Sequence, residues 1–178
     1  MLTHIKRYAP AAISLFAAAV FLDSLRYKFT DHPNTQEIFG RLDGWAASLG
    51  APGLFAHTGL FSQYVIGSAE LAASTLLLLG LLPRFARLNA LGAAIGFAVM
   101  TGAVSFHLFT PLGIDPNNDG GGLFAAAVTI WVSSIVLLAL RRREIAALLG
   151  DLARAFESER VAPKSAPAAR PSTSSGLA

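Results

Sequence analysis

Four apolar runs dominate this sequence, at about residues 8–25, 61–82, 88–109 and 122–140, and almost no charge falls inside them. Each has roughly the 17–25 residues that cross about 30 Å of hydrocarbon. Lipid offers the backbone no hydrogen-bond partner, so a run that is apolar on all sides must satisfy its own N–H and C=O groups as a helix. The expected fold is an all-α membrane protein, a four-transmembrane-helix bundle over residues 1–144. Composition agrees: the chain is 53% hydrophobic and only 14% charged, where soluble domains carry about a quarter charged residues.

Orientation follows from the short flanks. Lys6 and Arg7 precede the first run, Arg84 and Arg87 join the second to the third, and Arg141, Arg142 and Arg143 follow the fourth. These clusters fall on one side, which the positive-inside rule makes the cytoplasm, with both termini there. The opening residues resemble the start of a signal peptide, but no clear A-x-A site precedes a polar mature region, so an uncleaved first helix is expected.

The long loop on the opposite side has its own pattern. Ile38, Leu42, Trp45 and Leu49 recur at helical spacing, Asn34 with Glu37 suggests a capping pair, and Gly50 and Pro52 end the run. A helix lying on the outer membrane surface over the bundle mouth is expected, against the plainer reading of a solvated connector. After the fourth run, Ile145, Leu148, Leu149, Leu152 and Phe156 recur at helical spacing among charges, which describes a cytoplasmic amphipathic helix along the membrane face over 145–160. Residues 161–178 are rich in Pro, Ser and Ala without apolar periodicity and read as a disordered tail.

Charge and cysteine usage remove several function classes. The net charge of +3 comes from residues near helix ends and in the tail, which argues against a nucleic-acid partner. With no cysteine, disulfides, thiolate metal sites and dithiol relays are out of reach. His107 is the one histidine within an apolar run, so no bis-histidine haem is expected from this chain alone. No short-spaced cluster of His and carboxylates suggests zinc.

Glu70 is the most informative residue. It lies nine positions into the second run, about 13 Å along a helix rising 1.5 Å per residue. A carboxylate at that depth faces a bundle interior or a wet cavity, where it either carries protons or binds a polar head group, or else clamps two helices together. His107 near the end of the third run, and Asp23, Arg26 and Lys28 at the end of the first, belong by topology to the same outer half. His107 reads either as a proton-linked or ligand-binding group or as an interfacial histidine, and Lys28 either as a partner for Glu70 or as a snorkelling anchor.

Asp115, Asn117 and Asp119 resemble the first half of a calcium loop. The twelfth position would be Ala126 where such a loop needs a bidentate Glu, and Asx turns explain the same residues. No metal is therefore expected there beyond this weak calcium candidate. Gly92 and Gly96 form a small-xxx-small pair suited to close helix approach, and Trp131, Ser133 and Ser134 read as packing or local hydrogen-bonding residues.

These features together resemble the DoxX family of small bacterial four-helix membrane proteins. The resemblance rests on Arg26-Tyr27-Lys28-Phe29 closing the first helix, on Gly67 and Glu70 within GSAELAASTLLLLGLLPR, on Arg84 after it, and on His107 ending the third helix. It covers residues 8–140. The chain departs from the simplest members in its longer first outer loop and its arginine-rich C-terminal extension. The family is named for a subunit associated with thiosulfate:quinone oxidoreductase and terminal quinol oxidase. The resemblance thus implies an oxidoreductase-associated subunit or quinone binder rather than a self-sufficient enzyme, with a redox partner protein or a homodimer as its company. A non-catalytic membrane scaffold and a proton-coupled transporter of a small solute are the alternatives.

Overall fold

The computed structural model describes residues 2–161, with side-chain surroundings for residues 8–157. Among these residues there are six α-helices and no strand: α1 Leu2–Phe29, α2 Pro33–Ser48, α3 Gln63–Leu79, α4 Ala86–Phe109, α5 Gly122–Leu140 and α6 Arg142–Val161, with a 3-10 turn at Pro83–Phe85. α1 packs on α3, α3 on α4 and α4 on α5, and α5 returns to α1, so four helices close a ring. α2 sits over one end of that ring and α6 over the other. The tail expected at 161–178 lies outside the described residues except for Val161, which ends α6.

Three helices are long and apolar enough to cross a membrane: Tyr8–Phe29, Pro83–Phe109 and Gly122–Leu140. The fourth member of the ring, α3, is apolar but only 17 residues long. Its expected span of 61–82 is shortened at both ends by local chemistry that hydropathy does not register. Ser62 caps the start, its hydroxyl accepting the Val65 N–H at 3.4 Å, and Gly80 closes the end ahead of Pro83. The outward faces of the ring helices expose Leu22, Leu71, Leu91, Val132 and Val136, a belt that lipid accepts and water disfavours.

The ring is held by small residues. A core of Ala17, Phe21, Ala73, Leu77, Ala93, Ile130 and Leu137 fills its centre. Gly92 lets α4 approach α3 until a Cβ there would lie 2.8 Å from the Leu77 nitrogen and 2.9 Å from the Ala73 oxygen. Gly80 is tighter still, with 2.2 Å to the Asn89 nitrogen, which brings the end of α3 against the start of α4. Gly96, the other half of the small-residue pair, faces the Phe21 ring at 3.3 Å instead.

The end covered by α6 is tied by polar side chains. Asn89, fully buried, donates to Ser14 Oγ at 2.8 Å and to the Leu77 carbonyl at 3.1 Å, and its own oxygen accepts from Arg141 Nε at 3.0 Å. One residue thereby joins α1, α3, α4 and the α5–α6 junction. Arg87 Nη1 meets Asp151 Oδ2 at 2.6 Å and anchors α6 to α4.

α2 corrects the expected capping. Its N-cap is His32, whose Nδ1 accepts the Asn34 N–H at 3.2 Å, because Pro33 starts the helix one residue before Asn34. Glu37 does not cap; it pairs with Arg41 at 2.6 Å along the same helix. The apolar stripe of α2 packs inward, with Leu42 and Ala46 in a second core beside Phe55 and Leu112, flanked by Ile38, Trp45 and Phe106. Leu49, expected in that stripe, is the C-cap and is exposed. His4, placed outside the helices by hydropathy, falls within α1.

The glycine contacts separate two substitutions that the sequence treats alike. Gly92→Ala meets backbone at under 3 Å and should cost about 1–3 kcal/mol. Gly96→Ala meets a movable ring at 3.3 Å and should cost about 1 kcal/mol or less by the same reasoning. Thermal unfolding of both in one detergent checks the order.

Candidate functional site

The site begins with the spacing of α1. Ser24 and Lys28 lie four residues apart and so share a face of the helix, and Lys28 Nζ donates to Ser24 Oγ. On the facing helix Glu70 is seven residues past the start of α3, about 10 Å along it. That is shallower than hydropathy implied, because the helix starts at Gln63. Lys28 Nζ reaches Glu70 Oε2 at 3.1 Å, and Ser24 Oγ donates to the same oxygen at 3.1 Å. Side-chain exposures of 15% for Lys28 and 4% for Glu70 make this a buried pair.

Gly67, one turn before Glu70, is what brings α1 this close: a Cβ there would stand 3.5 Å from the Lys28 side chain and 3.3 Å from the Phe29 ring. Ser74, one turn after, bonds the Glu70 carbonyl at 2.8 Å. Lys28 carries three N–H donors, of which two are accounted for by Ser24 and Glu70.

Glu70 and Lys28 form part of the wall of a cavity of about 820 Å³, within the usual range of small-molecule sites. α1 contributes Val20, Ser24 and Lys28 to it, α4 the turns from Ala98 to His107, and α5 Leu123, Ala127 and Ile130, while α2 with Ile38 and Leu42 closes the top. Most of this lining is hydrocarbon.

The structure brings four of the five candidate residues to this one cavity. Glu70, Lys28, His107 and Asp23 line it, whereas Arg26 does not. Arg26 lies on the exterior, paired with Asp23 at 3.1 Å and over the Tyr27 ring at 4.9 Å. Asp23, equally exposed in that pair, is a rim residue.

His107 is buried and its Nδ1 lies 2.6 Å from the Gly113 carbonyl. A carbonyl only accepts, so Nδ1 carries the hydrogen, and in the neutral ring Nε2 is left as an acceptor. The ring packs edge-on against Phe124 at 5.5 Å.

Three carboxylate oxygens of the loop suggested for calcium, on Asp115 and Asp119, are engaged with backbone. Asp119 Oδ1 accepts from the Gly121 and Gly122 N–H groups at 3.0 and 3.1 Å, Oδ2 from Leu123 at 2.8 Å, and Asp115 Oδ1 accepts from the Asp119 N–H at 2.7 Å. The helix N-cap itself is Gly121 in a left-handed turn with φ 80°, which has no side chain to offer, and Asp119 supplies the cap from two residues upstream. No group of three or more His and carboxylate residues suited to a metal occurs among the described residues.

A polar network above the pair escapes hydropathy. Gln63, fully buried, donates to the Lys28 carbonyl and to Asp31 Oδ1, both at 2.9 Å, and accepts from Gln36 at 3.1 Å. His57 Nε2 lies 3.3 Å from the same Asp31 oxygen. These bonds join the α1–α2 turn, α2, the following loop and the start of α3. A glutamine directly after a capping serine, and a serine four residues before a helix-terminal lysine, are the faint sequence signals for Gln63 and Ser24.

No protein-family model matches this chain, and no curated protein or solved structure is significantly similar to it.

Two outcomes follow. Removing one partner of the buried pair, by Glu70→Gln or Lys28→Met, should destabilise the fold by about 3–5 kcal/mol, with the double variant recovering part of the loss. A double-mutant cycle by chemical unfolding in detergent reads the coupling. The Asp119 carboxyl is held below the usual carboxylate range, first by the Leu123 N–H and further by Asp115, Gly121 and Gly122. A group with a depressed folded value stabilises above its unfolded value and loses that contribution as pH falls through the folded one. Asp119→Ala should therefore cost about 1 kcal/mol or less at neutral pH, given its exposure, and less as falling pH protonates the folded carboxyl. Melting curves at pH 7 and pH 2.5 compare the two.

Proposed function

We propose that this chain is a DoxX-like inner-membrane protein that binds a quinone-like amphipathic molecule in the cavity under α2, as an accessory to membrane redox or stress-related metabolism. In this reading α1, α3, α4 and α5 all span the bilayer, with α3 reaching through its flanking Phe61, Leu81 and Leu82. Arg84, Arg87, Arg141, Arg142 and Arg143 share the α6 end of the ring, which makes that end cytoplasmic together with both termini. The α2 end, where Arg26, Lys28 and Arg41 are offset by Asp23, Glu70 and Glu37, faces outward.

The observation that carries the proposal is the juxtaposition of Lys28–Glu70 with His107 on one largely apolar cavity. The third N–H of Lys28 suits a carbonyl oxygen, and His107 Nε2 suits a hydroxyl. A molecule whose head alternates between carbonyl and hydroxyl, with a hydrocarbon tail among Val99, Phe106 and Ile130, matches both. Glu70 balances the lysine charge, so the head group itself is neutral. A second reading, a non-catalytic scaffold docking a redox partner or a second copy, draws on the fact that Glu70 Oε2 is engaged entirely by α1.

Mass spectrometry of small molecules extracted from protein purified in mild detergent tests the proposal. Wild type should retain a carbonyl-bearing, chain-carrying compound, and Glu70→Gln should lower its content roughly ten- to hundredfold, the factor for losing a charged hydrogen-bond arrangement at the head group. Equal, lipid-like content in wild type and a folded variant overturns the proposal in favour of the scaffold.

A further inference from the structure

α6 presents an apolar stripe that the bundle does not cover. Ile145, Leu149, Leu152 and Phe156 recur every three or four residues and so share one face, yet Leu149, Leu152 and Phe156 are 62%, 54% and 60% exposed. Arg143 and Arg154 fall on the far side of the same helix, and Glu157 on its flank. A soluble face of this kind would be an aggregation liability.

Geometry fixes where this stripe lies. α6 starts directly after α5 ends, at the Arg141 junction, and nine residues later Asp151 is bonded to Arg87 in the first turn of α4. Both contacts are with ring-helix termini at the same end, while about 13 Å of α6 separates them. α6 therefore crosses the end of the ring instead of prolonging α5, and it runs at the level where the candidate spans stop.

The charges at this level are unbalanced. Arg87 and Arg154 share Asp151, and Arg141 has Glu144 at 3.5 Å. Arg84, Arg142 and Arg143 are exposed, and none has a carboxylate partner among the described residues; Arg84 rests only on the Phe85 ring at 4.6 Å. We propose that α6 is a membrane-surface helix whose Leu149, Leu152 and Phe156 enter the acyl boundary of the bilayer, with Arg84, Arg142 and Arg143 binding the phosphates of anionic phospholipid. An apolar stripe opposite a charged face, at the height of the headgroups and beside surplus arginines, is the arrangement that interfacial helices use. The inference rests on the reading that the ring spans a bilayer.

The chain has no cysteine, so single labels can be placed without other changes. A fluorophore at Phe156→Cys, at Glu157→Cys about 100° round the helix from the stripe, or at Val136→Cys on the lipid-facing side of α5 would be followed in nanodiscs of phosphatidylcholine alone or with phosphatidylglycerol. In the anionic discs, the label at position 156 should be roughly tenfold less accessible to an aqueous quencher than the one at 157, and quenched by lipid-borne bromine. Arg142→Gln with Arg143→Gln should return about a factor of ten of that protection. A water-exposed label at 156 in both disc types overturns the inference. So does protection that appears equally in detergent and grows with protein concentration, which assigns the stripe to a second copy. If the label at 136 is also unreachable from lipid, the spanning reading itself fails; if 136 is quenched and 156 is not, only the role of α6 fails.

Discussion

A carboxylate two turns inside an apolar helix has no water to stabilise it, so its counter-charge has to be built into the neighbouring helix. Lys28 meets that demand from α1, and much of the local design follows from getting it there. Gly67 removes the side chain that would hold α1 and α3 apart, Ser24 sits between the two charges and binds both, and Gln63, two turns before Glu70, fixes the Lys28 carbonyl. α1 has to end near Phe29 for the turn at Asp31 to reach Gln63, and Asp31 takes a left-handed φ of 55° to make that turn. The pair, the turn and the placement of α2 are thus parts of one arrangement.

The all-helical fold was legible because apolar runs in this sequence are long and their ends carry charge. The bounds of α5 match the apolar run 122–140, since Gly121 and Arg141 bracket it unambiguously. α3 was overestimated because Leu81 and Leu82 look like helix to a hydropathy scale, while Gly80 and Pro83 decide the backbone. The cap of α2 lies two residues earlier than the Asn34–Glu37 pattern implies because Pro33 starts the helix and the His32 ring accepts the Asn34 N–H.

Within the site, Glu70, Lys28 and His107 stood out as polar groups in apolar surroundings, and all three reach the cavity. Arg26 looked equivalent to Lys28 in sequence, but two residues along a helix is a rotation of about 200°, which turns one side chain inward and the other out. Asn89 escaped notice for the opposite reason: it is short, uncharged and close to two arginines that explained the polarity of that region. Only the tertiary contacts reveal that it holds Ser14, Leu77 and Arg141 together.

The cavity is lined on α1 only from Val20 onward, on α4 only from Ala98 onward and on α5 only as far as Ile130. Below that level the Phe21 ring and Ser134 both close on Gly96, and Ala73, Ala93 and Leu137 fill the centre down to Asn89. The ring is thus a cup with a solid base. Under the proposed reading a guest beside Lys28 would meet packed side chains toward the α6 end among the described residues, and a transport cycle would require the base itself to come apart.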